Sequence, residues 1–318
     1  MLIHDIPKRK FLPQLERSEP LIKDHTATQY FRDCKRKYFY AMVAGRRPKS
    51  SEMQNIWDWG SGVHKFIEEY SMHFDYDKAV AAAIPVSGFL NKNRLPMPKK
   101  WEHLDSSRFE ETMIALAKFF DQEKKDGYIH TESVEAPFNL ELPDGSVIGG
   151  RMDAVLRFSG GQVWVRDHKT STKPAMWFIK GLDPNDQATR YVYAMSRMLG
   201  WNSKDQQVSK KANGLEYLLI SNEANLVKGK RKPQISRHPI TKSNEQLVNW
   251  ERQQMFRHID MALHREHDEW PMEEGSQCQW CDYVSVCRAP TEENMRQRLQ
   301  SDFLHQPWDH QTVEQKER

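Results

Sequence analysis

Residues 149–172 read GGRMDAVLRFSGGQVWVRDHKTST. Apolar residues alternate with others on both sides of Ser159-Gly160-Gly161, the pattern of two strands joined by a tight turn, each with one buried face. Against that pattern, Asp153 sits inside the first strand, and Asp167 and Lys169 end the second. Side chains two apart share a strand face, so Asp167 and Lys169 project together with Val163 and Val165. The short turn brings Asp153 opposite them. Two neighbouring carboxylates repel and need a cation to coexist as anions. Oxygen donors suit Mg²⁺ or Mn²⁺, and a lysine beside such a cation stabilises developing negative charge. Acid, acid and lysine on one face thus describe metal-assisted hydrolysis of a phosphodiester. The same three residues would also suit a salt bridge at a strand end.

Working outward, the period of two continues upstream. Val134 to Leu142 reads as a strand, Pro143-Asp144-Gly145 as a turn, and Val147 to Phe158 as its hairpin partner. Gln162 to Lys169 is the third strand. Before them, helical spacing predicts a helix from Thr26 through Val43 with Tyr30, Cys34, Tyr38 and Met42 along one face. Further helices are expected at Glu52–Phe74 and Ser107–Lys125, with residues 76–105 as a looser connector. Downstream come a helix from Pro184 to Leu199 capped by Asp183 or Asn185, a hairpin of Leu215–Ser221 and Pro233–Ile240, and a long helix from Ser243 to Trp270. This order predicts an α/β fold class, with helical segments added at both ends. Residues 1–25 read as an irregular N-terminal segment, 26–295 as a single domain, and 296–318 as a polar, mobile tail.

Composition narrows the class. A chain of 318 residues can bury one large core or two modest ones, and 29% charged against 38% hydrophobic residues suits a soluble globular protein. No apolar run reaches the roughly 20 residues of a membrane helix, and the N-terminus lacks a secretory h-region. The expected location is the cytoplasm, without a membrane partner. A net charge of +3 is too small to demand nucleic acid as partner. Four cysteines are too few for a disulfide scaffold. Cys278, Cys281 and Cys287 cluster in CQWCDYVSVC, with Cys34 far upstream, a spacing that points to a metal centre in a reducing compartment. The plainer alternative is three cysteines near one another by chance and one buried as a small hydrophobe. Four thiolates can hold zinc or an iron–sulfur cube, and spacing does not choose between them.

Other residues join the constellation. His64 lies in the second helix, in GSGVHKFIEE, and Gln187 and Tyr191 are spaced i, i+4 in QATRY on the helix after the lysine strand. Glu135 stands in SVEAPF, GRMD ends at Asp153, Asp167-His168-Lys169 forms a D-x-K, and Cys34 opens CKRKYFY. With these motifs in this order, residues from about 26 to 290 resemble the PD-(D/E)xK nuclease superfamily. The particular likeness is to its RecB-like branch with an iron–sulfur cluster, which includes the AddB nuclease domain and a CRISPR-associated exonuclease. Lys35 departs from the pattern, standing where a proline is common after the first cysteine.

The resemblance implies a restriction-endonuclease-like core with a mixed central sheet and flanking helices. His64, Asp153 and Asp167 would bind Mg²⁺ or Mn²⁺, with the backbone carbonyl of His168 as a further ligand. Lys169 would stand at the attacking water, and Gln187 and Tyr191 would line the site. Cys34, Cys278, Cys281 and Cys287 would hold a [4Fe–4S] cluster, with structural Zn²⁺ as the alternative, joining the two terminal helical segments. The implied activity is that of a metal-dependent DNA nuclease, a single-strand exonuclease in DNA processing, recombination or repair. The alternatives are a structure-dependent or nicking endonuclease, or a DNA-binding and trimming subunit of a CRISPR-adaptation or recombination complex. The chain lacks a G-x-x-x-x-G-K-[ST] loop, so unwinding is expected from a helicase partner. Candidate contacts to the DNA backbone are Lys35, Arg36, Lys37, Arg46 and Arg47, with Lys228, Lys230, Arg231 and Lys232 in the turn VKGKRK. Trp57, Trp59 and Trp177 are candidates for stacking on unpaired bases.

Overall fold

The computed structural model describes residues 22–49, 54–89, 104–127, 129–172, 178–182, 185–207, 210–222 and 232–308. In chain order the elements are α1 (His25–Asp33), α2 (Lys35–Tyr38) continued by a π-helical turn (Phe39–Val43), β1 (Arg46–Pro48), α3 (Gln54–His73), α4 (Tyr76–Val86) and α5 (Ser106–Asp126). Then follow β2 (Ile129–Glu141), β3 (Val147–Phe158), β4 (Val163–Ser171), α6 (Asp186–Met198), β5 (Gly214–Ser221) and β6 (Gln234–Ile240). The chain continues through α7 (Asn244–His267), a 3₁₀ turn (Ser276–Trp280), α8 (Val284–Cys287), α9 (Glu292–Asp302) and β7 (Phe303–His305). Helix starts follow local chemistry. Asp24, Asp75, Asp105, Asn185 and Thr291 each accept a first-turn N–H with the side chain. None of the described helices is long and apolar enough to cross a membrane.

The described residues fall into two compact units, one drawn from residues 1–51 and 259–309, the other from 52–258. The sequence reading takes 26–295 as one domain. The larger unit is built on a mixed five-stranded sheet in the order β2-β3-β4-β5-β6. Only β4 and β5 run parallel. A parallel neighbour requires a crossover, and α6 supplies it. One sheet face meets α6: Val163, Val165, Leu215 and Tyr217 pack with Tyr191, Val192 and Met195. On the other face Leu218 and Ile220 pack with Val63, Phe66 and Ile67 of α3 and Phe109, Leu116 and Phe120 of α5. Strand β5 serves both cores and is buried throughout, as expected for a central strand.

Strand β4 also carries Arg166, fully buried on the α5 side. Its guanidinium donates to both oxygens of Glu123 on α5 at 2.9 and 2.7 Å and to Glu216, its register partner on β5, at 2.8 Å. Arg237 on β6 reaches the same Glu123 at 3.0 Å. One buried network thus ties three strands to a helix.

The smaller unit has a core of Phe31, Tyr38, Phe39, Tyr40, Met42, Trp270, Tyr283, Val286, Leu299 and Phe303. Tyr283 stacks on Tyr40 and on Phe303. Here the structure corrects three expectations. The first helix does not run through to Val43: Cys34 is extended (φ −168°, ψ 120°) and breaks it. Residues 296–308 are no tail, because Leu299 and Phe303 are buried and β7 pairs with β1, Arg46 opposite His305. In the larger unit the connector 76–105 contains α4, whose Pro85 sits in its last turn.

Replacing Arg166 by alanine leaves Glu216 buried without its cation and Glu123 with Arg237 alone. The expected cost is about 3–5 kcal/mol, read as a fall in the urea midpoint; an unchanged midpoint would show that the network carries no weight.

Candidate functional site

The β3–β4 ladder pairs residues from Arg157↔Val163 to Ala154↔Arg166. The next position on each strand is Asp153 and Asp167, so the two acids face each other where the ladder ends. In place of a ladder bond, Asp153 Oδ2 accepts the His168 N–H at 2.7 Å. Close packing brings the strands and α3 to this point. A Cβ on Gly150 would lie 2.8 Å from Cζ of Phe138, and one on Gly62 would lie 2.6 Å from Ser87 Cβ and 2.8 Å from Phe109 Cζ. These contacts explain the glycines of GRMD and GSGVH: Gly150 lets Phe138 of β2 lie against β3, Gly62 lets α3 pack on Ser87 and Phe109, and Gly60, whose Cβ would lie 3.2 Å from Thr170 Oγ1, lets α3 approach β4.

Asp153 Oδ2 lies 3.7 Å from His64 Nδ1 and 3.7 Å from His168 Nδ1. One ligand atom each from His64, Asp153 and His168 falls within 4.8 Å of the others, the only such trio of histidine, cysteine or acid groups among the described residues. Burial would push the Asp153 carboxyl up, but His64, His168, Lys169 and the His168 N–H outweigh it and hold it at about 2. Burial also pushes His168 down to about 3, against the pull of Asp153. With the His168 ring neutral, the Lys169 charge and the His168 N–H remain to keep the carboxylate anionic at neutral pH.

Asp167 lies within a second network. Lys169 Nζ pairs with Asp167 Oδ2 at 2.8 Å and donates to Gln187 Oε1 at 2.9 Å. Gln187 Nε2 donates to the Tyr191 hydroxyl at 3.1 Å. The start of α6 is fixed twice. Asn185 caps it by accepting from the Gln187 N–H at 2.8 Å, and Asp186 accepts from Trp250, Gln254 and Arg257 of α7 at 2.8–3.0 Å. Sequence reasoning left the cap between Asp183 and Asn185, and the structure places it at Asn185; Asp186 was given no role.

The structure therefore brings His64 and Asp153 together, gathers Lys169, Gln187 and Tyr191 around Asp167, and adds a group that was not expected. The sequence reading assigned His168 only a backbone carbonyl; here its ring joins His64 and Asp153. A histidine in the same strand row as the buried Arg166, next to the acid and the lysine, was the available signal. Glu135 stands on β2 across from Asp153, between the pairs Val134↔Ala154 and Ala136↔Met152, and is ion-paired with Arg151. Its φ of +48° is left-handed, rare for a residue with a side chain. Two imidazoles and an ionised carboxylate that converge in this way fit a divalent cation.

In the smaller unit a cavity of about 560 Å³ is lined by all four cysteines, with Lys37, Glu273 and Trp280 among its other walls. All four are free thiols. The Glu273 N–H donates to Cys34 Sγ at 3.5 Å. Burial raises Cys287 to about 11, against the pull of Arg36, and Cys281, Cys34 and Cys278 raise it further. The thiols thus sense one another across the cavity, and four thiolates lining one space fit a metal cluster.

The candidate DNA contacts fare unevenly. Arg47 is buried over the Trp308 ring, Arg36 donates to the Trp270 carbonyl at 2.7 Å, and Lys35 pairs with Glu273 at 3.4 Å. Lys37 lies 3.9 Å above the Tyr30 ring, and the Arg46 carbonyl accepts from the Tyr283 hydroxyl. Lys232 is exposed, while Lys228, Lys230 and Arg231 lie outside the described residues. Trp59 is core, edge-on to Phe109; Trp57 is 39% exposed, and Trp177 lies outside the described residues. Trp280, which the sequence reading passed over, is 80% exposed.

Residues 25–288 match the family model of the PD-(D/E)XK nuclease superfamily. No curated protein sequence matches the chain. Among solved structures, it is similar to a protein from Eubacterium rectale provisionally named an exonuclease, at 12% identity and a TM-score of 0.49, over 82% of this chain and 87% of that one. It is also similar to SSO0001, at 14% identity and a TM-score of 0.30, over 71% and 84%. At these TM-scores neither likeness carries weight.

A pH dependence follows from His168. Its folded-state pKa lies below 6.5, so between 6.5 and about 3 the unfolded chain binds the extra proton. Stability present above pH 6.5 is therefore lost as the pH falls towards 3, and Asp153, lowered from 3.8 to about 2, extends the loss. Urea midpoints of metal-free protein should drop between pH 7 and 4, and His168→Leu should flatten that slope. An equal slope in the variant would assign the acid loss elsewhere.

Proposed function

The chain belongs to the PD-(D/E)XK nuclease superfamily, and from that premise we propose that it is a divalent-metal-dependent single-strand DNA exonuclease. We place it in the RecB-like branch with a [4Fe–4S] cluster, acting in DNA processing, recombination or repair. The observation that carries the nuclease reading is the meeting of two groups at one ladder end. His64 and Asp153 converge there as cation donors, and Lys169 is held beside them by Asp167 and Gln187. Exonuclease action, single-strand preference and the branch rest on the sequence resemblance.

A bound Mg²⁺ or Mn²⁺ would polarise a phosphoryl oxygen and offset the charge that builds there. His64 and Asp153 would hold it, with Asp167 across the ladder. An ammonium has three donors. Gln187 accepts one from Lys169 and Asp167 pairs with its charge, which leaves donor capacity for the attacking water or a phosphate oxygen. Gln187 and Tyr191 hold Lys169 at that point, because both project from the same face of α6. DNA would reach the site past the exposed Lys232. The preference for the cube over zinc rests on the sequence resemblance to the cluster-bearing branch.

End-labelled linear and circular single strands, digested side by side, test the activity. Linear strands should be shortened from an end and circles spared; cut circles would mean an endonuclease. Lys169→Ala should lower cleavage at least about 100-fold with DNA binding retained. Near-parental cleavage by that folded variant would remove Lys169 from the chemistry.

The cysteine reading has its own test. Purified anaerobically, the protein should be brown with about four irons per chain. Cys34→Ala should lose most of that iron and melt at lower temperature, because cluster binding feeds into folding. Colourless protein with one zinc would sink the cluster and spare the nuclease.

A further inference from the structure

We infer that the imidazole of His168 is itself a metal ligand, so that the site presents two imidazoles and a carboxylate and selects a first-row transition ion such as Mn²⁺ over Mg²⁺. This rests on the metal-dependent reading above and extends it to a donor which that reading did not contain.

Three observations carry the inference. First, His64 on α3 and His168 on β4 approach the same atom, Asp153 Oδ2, from two elements, each with Nδ1 at 3.7 Å. That separation is too long for a hydrogen bond. The rings converge on the carboxylate without bonding to it. Donors sharing one octahedral cation at about 2.1 Å lie about 3 Å apart when adjacent and about 4.2 Å when opposite. The observed spacings, all within 4.8 Å, need only a small contraction to meet those values.

Second, the position does not otherwise call for a histidine. His168 is 3% exposed, and its register partner Leu218 is fully buried and apolar. A leucine would fill the same space. Third, the other ring nitrogen, Nε2, is buried without a hydrogen-bond partner, so no hydrogen bond at that end accounts for a histidine here. Arg166, two positions earlier in the same row, is fully bonded to Glu123 and Glu216. His168 is the polar group in this row whose ring remains unmet, and it is the one beside the carboxylate.

Nitrogen donors explain the selectivity. Mg²⁺ strongly prefers oxygen and keeps its waters, whereas Mn²⁺ accepts imidazole more readily and lies in the series that binds nitrogen increasingly well. One imidazole shifts the preference modestly; a second shifts it further.

The test counts nitrogens on the metal. The full-length protein, grown with ¹⁵N-histidine and loaded with Mn²⁺, is examined by pulsed electron paramagnetic resonance. Two coupled histidine nitrogens are expected in the parent, and one in each of His168→Leu and His64→Leu. Titration of free Mn²⁺ should show about 10- to 100-fold weaker binding in His168→Leu, with Mg²⁺ competition changed less. A parent with a single coupled nitrogen that disappears in His64→Leu overturns the inference and leaves the nuclease reading intact. Weaker Mn²⁺ binding by His168→Leu beside a one-nitrogen parent also overturns it, and makes His168 a positioning residue for Asp153. A parent that binds Mn²⁺ with no coupled nitrogen, or not at all, overturns both readings. The parent spectrum decides without any variant, so a misfolded His168→Leu cannot obscure the result.

Discussion

Asp153 is an ionised carboxylate with almost no exposed surface, and much of the larger unit is arranged around what such a group needs. A buried anion must be hydrogen-bonded and held near positive charge, or it protonates. The His168 N–H satisfies one oxygen at 2.7 Å because the β3–β4 ladder stops one residue earlier. Had the ladder continued, that N–H would be committed to β3 backbone and the carboxylate left short. Divergence of the two strands is therefore what permits the acid to exist.

That divergence is sustained from both sides of β4. On the α5 side Arg166 binds Glu123 and Glu216, so the strand cannot shift along β5 without exposing or orphaning charge. On the α6 side Asp167 and Lys169 reach Gln187, and α6 is in turn pinned to α7 through Asp186. The parallel β4–β5 pair forces the crossover that supplies α6, which places the lysine-holding glutamine directly over the strand end. Backbone topology and side-chain chemistry converge on one spot.

The cysteine-bearing unit follows a different logic. Its core is aromatic, with Tyr38, Tyr40, Trp270, Tyr283 and Phe303 stacked or tilted against one another. Cys34 breaks the first helix and becomes the residue before a second short one, so its sulfur enters the cavity that Cys278, Cys281 and Cys287 approach from the other end of the chain. Strand β7, beyond the last cysteine, pairs with β1 just after the first helical segment. Hydrogen bonds and stacking thus already join the two ends of the chain, and a cluster in the cavity would add to that closure.

The element order, the central hairpin and the chemistry-bearing positions were legible in the sequence because they depend on short-range rules. Period-two alternation marked β3 to its ends, Asp183 or Asn185 marked the start of α6, and the i, i+2 spacing of Asp167 and Lys169 placed them on one face. Gln187 and Tyr191, one turn apart, share a helix face as that spacing required; Gln187 meets the lysine and Tyr191 meets Gln187. What the sequence could not reveal depends on partners far along the chain. The break at Cys34, the burial of Arg47 over Trp308 and the ordering of residues 296–308 are set by packing between residues more than two hundred positions apart. The ring of His168 is the sharpest case. Alternation along β4 turns it away from Asp167 and Lys169, and only α3, close to β4 at Gly60, puts His64 beside it and Asp153 between them. Local spacing determined which groups share a face; the folding of α3 onto the sheet decided which of them meet, because a contact across elements depends on side-chain volumes that no single stretch contains.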